Sequence, residues 1–296
     1  MRRLILILFV VFSVSAFAQP AAQYHSILKT ATPAPPPPFQ SETIAYMKAV
    51  IDNGGTWDST MYKAVDTLVR DLKGLTNPNY STSNVWSKLG QVLPFCGGIA
   101  ATHKFNLKDT ASLQATFVGS PTHSVNGVST NGSSQYINTN FNCSTQTYDN
   151  AMMALYYINE SSSSGYVCGV YDGGVGIAGY RSEGTTLKSL NVLGLWKNLT
   201  TYGLGVVPLG KFVSIDYSAT PRVDCYVNGT SAANSTPVSG ALSGNYFIGA
   251  LNQVGTPIIY FQMTARTWLV GNTLTSTEQS HLNSAITQFN TRLSRP

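Results

Sequence analysis

Val223-Asp224-Cys225-Tyr226-Val227-Asn228-Gly229-Thr230 alternates apolar and polar side chains and then breaks at an Asn-Gly pair. Alternation puts residues i and i+2 on one face of a strand. Asn-Gly supplies the two left-handed residues that a type I′ hairpin turn requires. The stretch therefore reads as a strand, a tight turn and the start of a return strand. Working outward, the same signature recurs. Short β-branched and aromatic runs lie at 113–118, 135–139, 151–158, 165–171, 187–193, 212–217, 246–251 and 258–263. Asn126-Gly127, Asn131-Gly132 and Asp172-Gly173 mark further turns between them. Many evenly spaced strands with no helices between them predict a mainly β chain folded as a β-sandwich.

The period changes on either side of this block. In 41–74, Ile44, Met47 and Ile51 share one helical face behind a Ser41 cap, and Asn53-Gly54-Gly55 ends that helix. A second helix, capped by Asp58 or Ser59, carries Met61, Val65, Leu68 and Leu72 and stops at Gly74. Two helices this short bury little alone, so they are expected to pack on the segment C-terminal to them, with Trp57 and Trp86 as anchors. At the other end Thr275 and Glu278 form a capping box. Leu282, Ile286, Phe289 and Leu293 then make one stripe for docking on the sandwich.

The chain begins like an export signal. Arg2 and Arg3 precede an apolar run at 4–14, and Ala16-Phe17-Ala18 is a small-residue cleavage site. A proline-rich spacer, with Pro33 and Pro35 to Pro38, comes next. The expected organisation is a signal peptide at 1–18, a linker at 19–40, a helical lead-in at 41–92, and the sandwich with its C-terminal helix at 93–296. The mature protein is expected to be secreted or displayed at the cell surface, with no membrane span once the leader is removed. Cys96, Cys143, Cys168 and Cys225 are an even number in an exported chain, which permits disulfides in three pairings or four free thiols.

Composition narrows the function classes. Charged residues are 10% of the 296, and Ser, Thr, Asn and Gln together number 94, so hydroxyls and amides must cover most of the surface. The net charge of +5 includes two arginines of the leader, and no basic run marks a nucleic-acid partner.

The segment from 210 to 278 joins the Asn228-Gly229 hairpin to Tyr246-Phe247-Ile248-Gly249-Ala250. It then runs through Ala265-Arg266-Thr267-Trp268-Leu269-Val270 to Leu274-Thr275-Ser276-Thr277-Glu278. This order resembles the second half of a laminin-G-like, concanavalin A-like jelly-roll domain. The stretches Pro94-Phe95-Cys96-Gly97-Gly98 and Asn131-Gly132-Ser133-Ser134-Gln135-Tyr136-Ile137-Asn138-Thr139 are similar to a narrower group of such proteins. That group occurs among tailed-phage structural proteins and Bacteroidetes-type secreted proteins. The resemblance covers 41–294 and implies a jelly-roll sandwich with a helical lead-in. Its partner would be a glycan, or a cell-surface or virion protein.

Glycosidases built on such sandwiches need paired carboxylates on one strand, where i and i+2 share a face. No Glu here lies within four residues of another acid, and the nearest strand acids, Asp216 and Asp224, fall on different strands. The four histidines (His25, His103, His123, His281) match no zinc or triad motif, and their expected role is structural. The resemblance allows a calcium ion at the sandwich rim, for which Asp149 and Asp172 on loops are the candidates; no other cofactor is implied. Saccharide recognition needs a flat apolar face beside directed amides. Trp196, Asn198 and Tyr202 in one Gly-rich region and Asn252 in another loop offer that combination. The expected function is non-enzymatic, lectin-like recognition or adhesion. The alternatives are a structural part of a phage-type particle or surface assembly and, behind it, a divergent glycan hydrolase.

Overall fold

The computed structural model describes residues 39–147, 150–159, 165–172, 177–183, 186–191, 211–218, 222–235 and 243–295. Five helices are present among them: α1 (Ser41–Asp52), α2 (Ser59–Leu72), α3 (Val85–Lys88), α4 (Ala100–His103) and α5 (Ser276–Arg292). The first eight strands are β1 (Leu89–Leu93), β2 (Thr116–Val118), β3 (Thr122–Ser124), β4 (Gly127–Asn131), β5 (Tyr136–Asn142), β6 (Ala151–Ile158), β7 (Gly165–Tyr171) and β8 (Ile177–Glu183). The next eight are β9 (Thr186–Asn191), β10 (Lys211–Ser218), β11 (Arg222–Val227), β12 (Thr230–Ser235), β13 (Asn245–Ile248), β14 (Leu251–Gln253), β15 (Thr256–Ile258) and β16 (Gln262–Gly271).

The strands form two sheets. The first runs β12-β11-β10-β6-β16-β4-β3, with β1 also on β16. The second runs β15-β14-β7-β13-β5-β2, with β8 and β9 extending from β7. The chain is mainly β, with a C-terminal helix, as the alternation predicted. Between the sheets lies a core that includes Leu155 and Tyr157 of β6, Trp268 and Val270 of β16, Cys168 and Val170 of β7, and Ile248 of β13. A second core lies on the other side of the first sheet. There Met152, Ala154 and Tyr156 of β6 and Leu269 of β16 meet Val65, Leu68 and Leu72 of α2 and Leu282, Ile286 and Phe289 of α5. Consecutive residues of β6 thus enter different cores, which is why this strand is apolar throughout rather than alternating. Each fully buried Leu or Phe in either layer contributes about 1.5–3 kcal/mol.

The helical lead-in is continuous with this arrangement. Residues 39–296 form one compact unit, and the boundary expected at 92/93 falls inside β1, whose Val92 stands opposite Leu269. Local signals placed most helix ends correctly. The Asp58 carboxylate accepts the Met61 N–H at 2.7 Å, Gly74 has φ 75° after α2, and the Thr275–Glu278 capping box is complete. Ser41 is not the cap of α1. Gln40 occupies that position without a side-chain bond, and its N–H is held by Asp66 of α2 at 2.6 Å.

The turns divide by chemistry. Asn228 (φ 50°) and Gly229 (φ 76°) form the type I′ turn between Val227 and Thr230. Asn131-Gly132 makes no hairpin, because β4 and β5 belong to different sheets. There the Asn131 side-chain Oδ1 accepts the N–H groups of Ser133, Ser134 and Gln135 and bends the chain between layers. All four cysteines are buried, and none is in a disulfide. Burial pushes the thiols of Cys143 and Cys225 up to about 12, which keeps them protonated and unreactive.

Candidate functional site

The outer face of the second sheet is set by strand alternation. In β5, Ile137 and Phe141 enter the inter-sheet core, so Tyr136 and Asn138 point outward. In β13, Tyr246 and Ile248 point inward, so Phe247 points outward. In β7, Cys168 and Val170 point inward, so Gly169 and Tyr171 point outward. Register aligns these positions across the sheet in the row Thr116, Asn138, Phe247, Gly169, Gly179 and Asn191. A Cβ at position 179 would sit 2.3 Å from the Cys168 carbonyl oxygen, so only glycine fits there, and the row keeps a flat strip beside the Phe247 position.

Aromatic rings cluster on this face. The Tyr136 ring centroid lies 4.5 Å from that of Phe247 and 6.4 Å from that of Tyr260. Tyr166, Leu251, Tyr171 and Ile258 form a neighbouring apolar group. Phe247 and Tyr166 are buried, whereas Tyr136, Tyr171 and Tyr260 are half-exposed. Burial and the neighbouring Tyr260 raise the Tyr136 phenol above its ordinary value, so its hydroxyl remains a hydrogen-bond donor. The amides of Asn138, paired with Phe247, and Gln253, paired with Tyr171, are half-exposed at outward positions of the same face. Such a surface can stack on the apolar face of a ring-shaped ligand while amides bond its rim hydroxyls.

The hairpin β14–β15 closes one edge of this face. It joins β7 in parallel, with Asn252 opposite Val170 and Gln253 opposite Tyr171. The Val254 N–H donates to the Tyr171 carbonyl at 3.0 Å. Two of the candidate positions therefore meet at this corner, since Asp172 follows Tyr171 directly and is half-buried. Asn252 does not face outward as expected for a rim amide. Its register partner Val170 enters the core, and Asn252 itself is only 2% exposed. Its amide holds the turn, accepting the Gly255 N–H at 2.7 Å and donating to the Asn245 carbonyl at 2.7 Å. Trp196, Asn198, Tyr202 and Asp149 lie outside the described residues. Among the described residues no three His, Cys, Asp or Glu side chains form a metal-holding group. The aromatic face itself was not singled out in the sequence. Its signal was Tyr136 and Phe247 at the outward positions of alternating strands, where polar residues are usual.

The other chemistry-bearing groups lie elsewhere. Register sets Asp216 of β10 directly opposite Asp224 of β11, and Asn234 of β12 opposite Asp224. Asp216 also stands opposite Met152, which belongs to the helix-side core, so these positions are on the outer face of the first sheet.

His103 and His123 approach at 3.0 Å through their Nδ1 atoms. The Gly98 N–H donates to His103 Nε2 at 3.1 Å, so a neutral His103 carries its proton on Nδ1 and donates to His123. Burial, then His123 and Arg295, hold His103 well below its ordinary value; burial lowers His123 as well. His281 stacks on Tyr80 at 4.3 Å and bonds Ser83. Near the His103–His123 pair, the Arg295 guanidinium donates to the carbonyls of Val125, Pro94 and Phe95 at 2.8, 3.2 and 3.0 Å.

No family model matches the chain, and no curated protein matches it. Solved structures do share its fold. A mutant of Trypanosoma rangeli sialidase displaying trans-sialidase activity superposes with a TM-score of 0.53 at 16% identity, covering 77% of this chain and 39% of that one. Trypanosoma rangeli sialidase itself gives 0.51 at 15% identity, covering 75% and 38%. The chain therefore spans about two fifths of the length of these sialidases. Domain 4 of AbnA, a GH43 extracellular arabinanase from Geobacillus stearothermophilus, gives 0.45 at 14% identity, covering 66% and 98%.

Proposed function

We propose that this chain is an exported, lectin-like recognition or adhesion module on a laminin-G-like, concanavalin A-like jelly-roll, binding glycan on the outer face of its second sheet without transforming it. The observation that carries this reading is the aromatic and amide face built from Tyr136, Tyr171, Tyr260, Asn138 and Gln253. The leader-like start and the proline-rich spacer of the sequence support display outside the cell. The opposed acidic positions 216 and 224 support binding over catalysis. They lie on the far face of the other sheet, and stacked sheets stand ~10 Å apart. A saccharide over Tyr136 is then beyond their reach.

A glycan array probed with the purified protein tests this. Binding to at least one glycan class is expected, with bound glycans recovered at unchanged mass. Replacing Tyr136 and Tyr260 together by Ala should weaken binding at least about tenfold, since truncating a central aromatic costs ~2 kcal/mol. An empty array, binding indifferent to both tyrosines, or cleavage of the glycan would overturn the reading.

A further inference from the structure

Val254 and Ile259 present a conflict between residue and conformation. Val254 has φ 49° and Ile259 has φ 47°. A β-branched side chain in the left-handed region is a steric outlier, costing energy that the rest of the fold must offset. Packing does not supply that offset, because Val254 is 71% exposed and Ile259 is 46% exposed.

The turn gives no reason for valine either. Val254-Gly255 is a two-residue type I′ turn between Gln253 and Thr256, with Gly255 at φ 88°. The same turn type between β11 and β12 uses Asn228-Gly229, the pair that this geometry favours. At Ile259 the chain passes from the second sheet to the first, and the kink belongs to that crossover. A glycine or asparagine would make it with less strain.

Both residues are nevertheless held in place. The Val254 N–H bonds the Tyr171 carbonyl, and the Ile259 carbonyl accepts the Tyr166 N–H at 3.2 Å. Tyr171 and Tyr166 lie near opposite ends of β7, seven residues long. At ~3.3 Å per residue the strand spans about 20 Å. Two exposed aliphatic side chains thus bracket the aromatic face lengthwise, each anchored to β7 by the backbone.

We propose that Val254 and Ile259 are specificity residues of this face, kept in strained positions to give aliphatic contact, one at each end, to methyl groups on separate units of one oligosaccharide built of either acetamido sugars or 6-deoxy sugars. The inference rests on the glycan-binding reading. A methyl group is the part of such a sugar that gains from an aliphatic partner rather than a hydroxyl. The Gln253 amide, side by side with Tyr171 and next to Val254, is placed to bond the polar group beside it. Asn252 is a positioning residue, since its carbonyl fixes the Gly255 N–H and with it the shape of the turn.

The test compares the purified wild-type chain with Val254→Gly and Ile259→Gly. The probes are immobilised oligosaccharides of N-acetylhexosamine, of 6-deoxyhexose and of hexose lacking a methyl group, each long enough to span the face, and the thermal midpoint of each protein is recorded alongside. The expected result is wild-type preference for one methyl-bearing class; the class preferred identifies the source of the methyl. Each glycine variant should have an equal or higher midpoint and bind that class at least fivefold more weakly, and the hexose signal should not move. Unchanged affinity in stable variants would overturn the inference and leave glycan binding intact. Equal wild-type binding to all three classes, or a lowered midpoint in the glycine variants, would also overturn it. A wild-type protein that binds no saccharide at all would overturn the glycan-binding reading and this inference together.

Discussion

Replacing Gln91 by methionine tests how the two sheets are tied together. Gln91 is fully buried in β1. Its amide donates to the carbonyls of Leu113 and Thr139, each at 2.7 Å, and its carbonyl accepts the Trp268 indole N–H at 2.9 Å. One side chain thus joins β1 and β16 of the first sheet to β5 of the second. Methionine keeps the length and offers no comparable hydrogen bonding, so two buried polar groups, the Thr139 carbonyl and the Trp268 indole N–H, lose a partner, while the Leu113 carbonyl lies nearer solvent. At ~1–2 kcal/mol for each buried orphan, the expected loss is about 2–4 kcal/mol, a large fraction of the ~5–15 kcal/mol that stabilises a domain. For a chain of this size that lowers the thermal midpoint on the order of 10 °C. Urea unfolding monitored by tryptophan fluorescence measures it. Adding Trp268→Phe to the methionine variant should cost less than the two single losses together, because the indole N–H is already orphaned. A methionine variant within about 1 kcal/mol of wild type would refute the bracing role.

Three further outcomes rest on other buried groups. Folded His103 and His123 resist protonation, while in the unfolded chain they titrate near the ordinary value of 6.5. Stability should therefore be full above that value and fall as pH drops below it, with His281 adding in the same direction; a urea midpoint unchanged between pH ~7.5 and ~5 would contradict the neutral pair. Arg295→Met removes three charge-assisted bonds to the 94–95 segment and Val125 and should cost ~2–4 kcal/mol. The same change should speed labelling of Cys96, whose sulfur lies 3.9 Å from the guanidinium, and an unchanged labelling rate would count against the clamp. A thiol reagent should find no reactive cysteine in the native protein and all four after denaturation; a shortfall in denaturant would reveal a disulfide.

Local chemistry carried the elements that local chemistry decides. The capping box at Thr275, the Asp58 cap and the Asn228-Gly229 turn each satisfy backbone groups within a few residues, and all three were legible. Strand β7 was bounded correctly for the same reason. The features that depend on the partner layer were not legible. Strands β3 and β4 are polar and short, and they are strands only because β4 pairs with the apolar β16 and β3 with β4 in turn. The run at 258–263 read as one strand, yet the chain changes sheets within it, at Ile259. The site shows the same division. Its aromatic residues were visible one at a time, but their common face exists only through the cross-sheet row from Thr116 to Asn191. Asn252 read as a rim amide because its loop is short and polar; the parallel pairing with Val170 that turns it inward is a long-range fact.

Strand β16 lies deep within the first sheet, with β6 on one side and β1 and β4 sharing the other, although it is the last of the strands in chain order. Its three partners must wait, with bare hydrogen-bonding edges, until more than a hundred later residues have been made and delivered. Such an assembly gathers slowly, because its decisive pairings join distant parts of the polypeptide. Until then the waiting edges are templates for any other extended chain. Fragments that stop short of residue 262 should therefore precipitate, and recovery from denaturant should depend steeply on dilution.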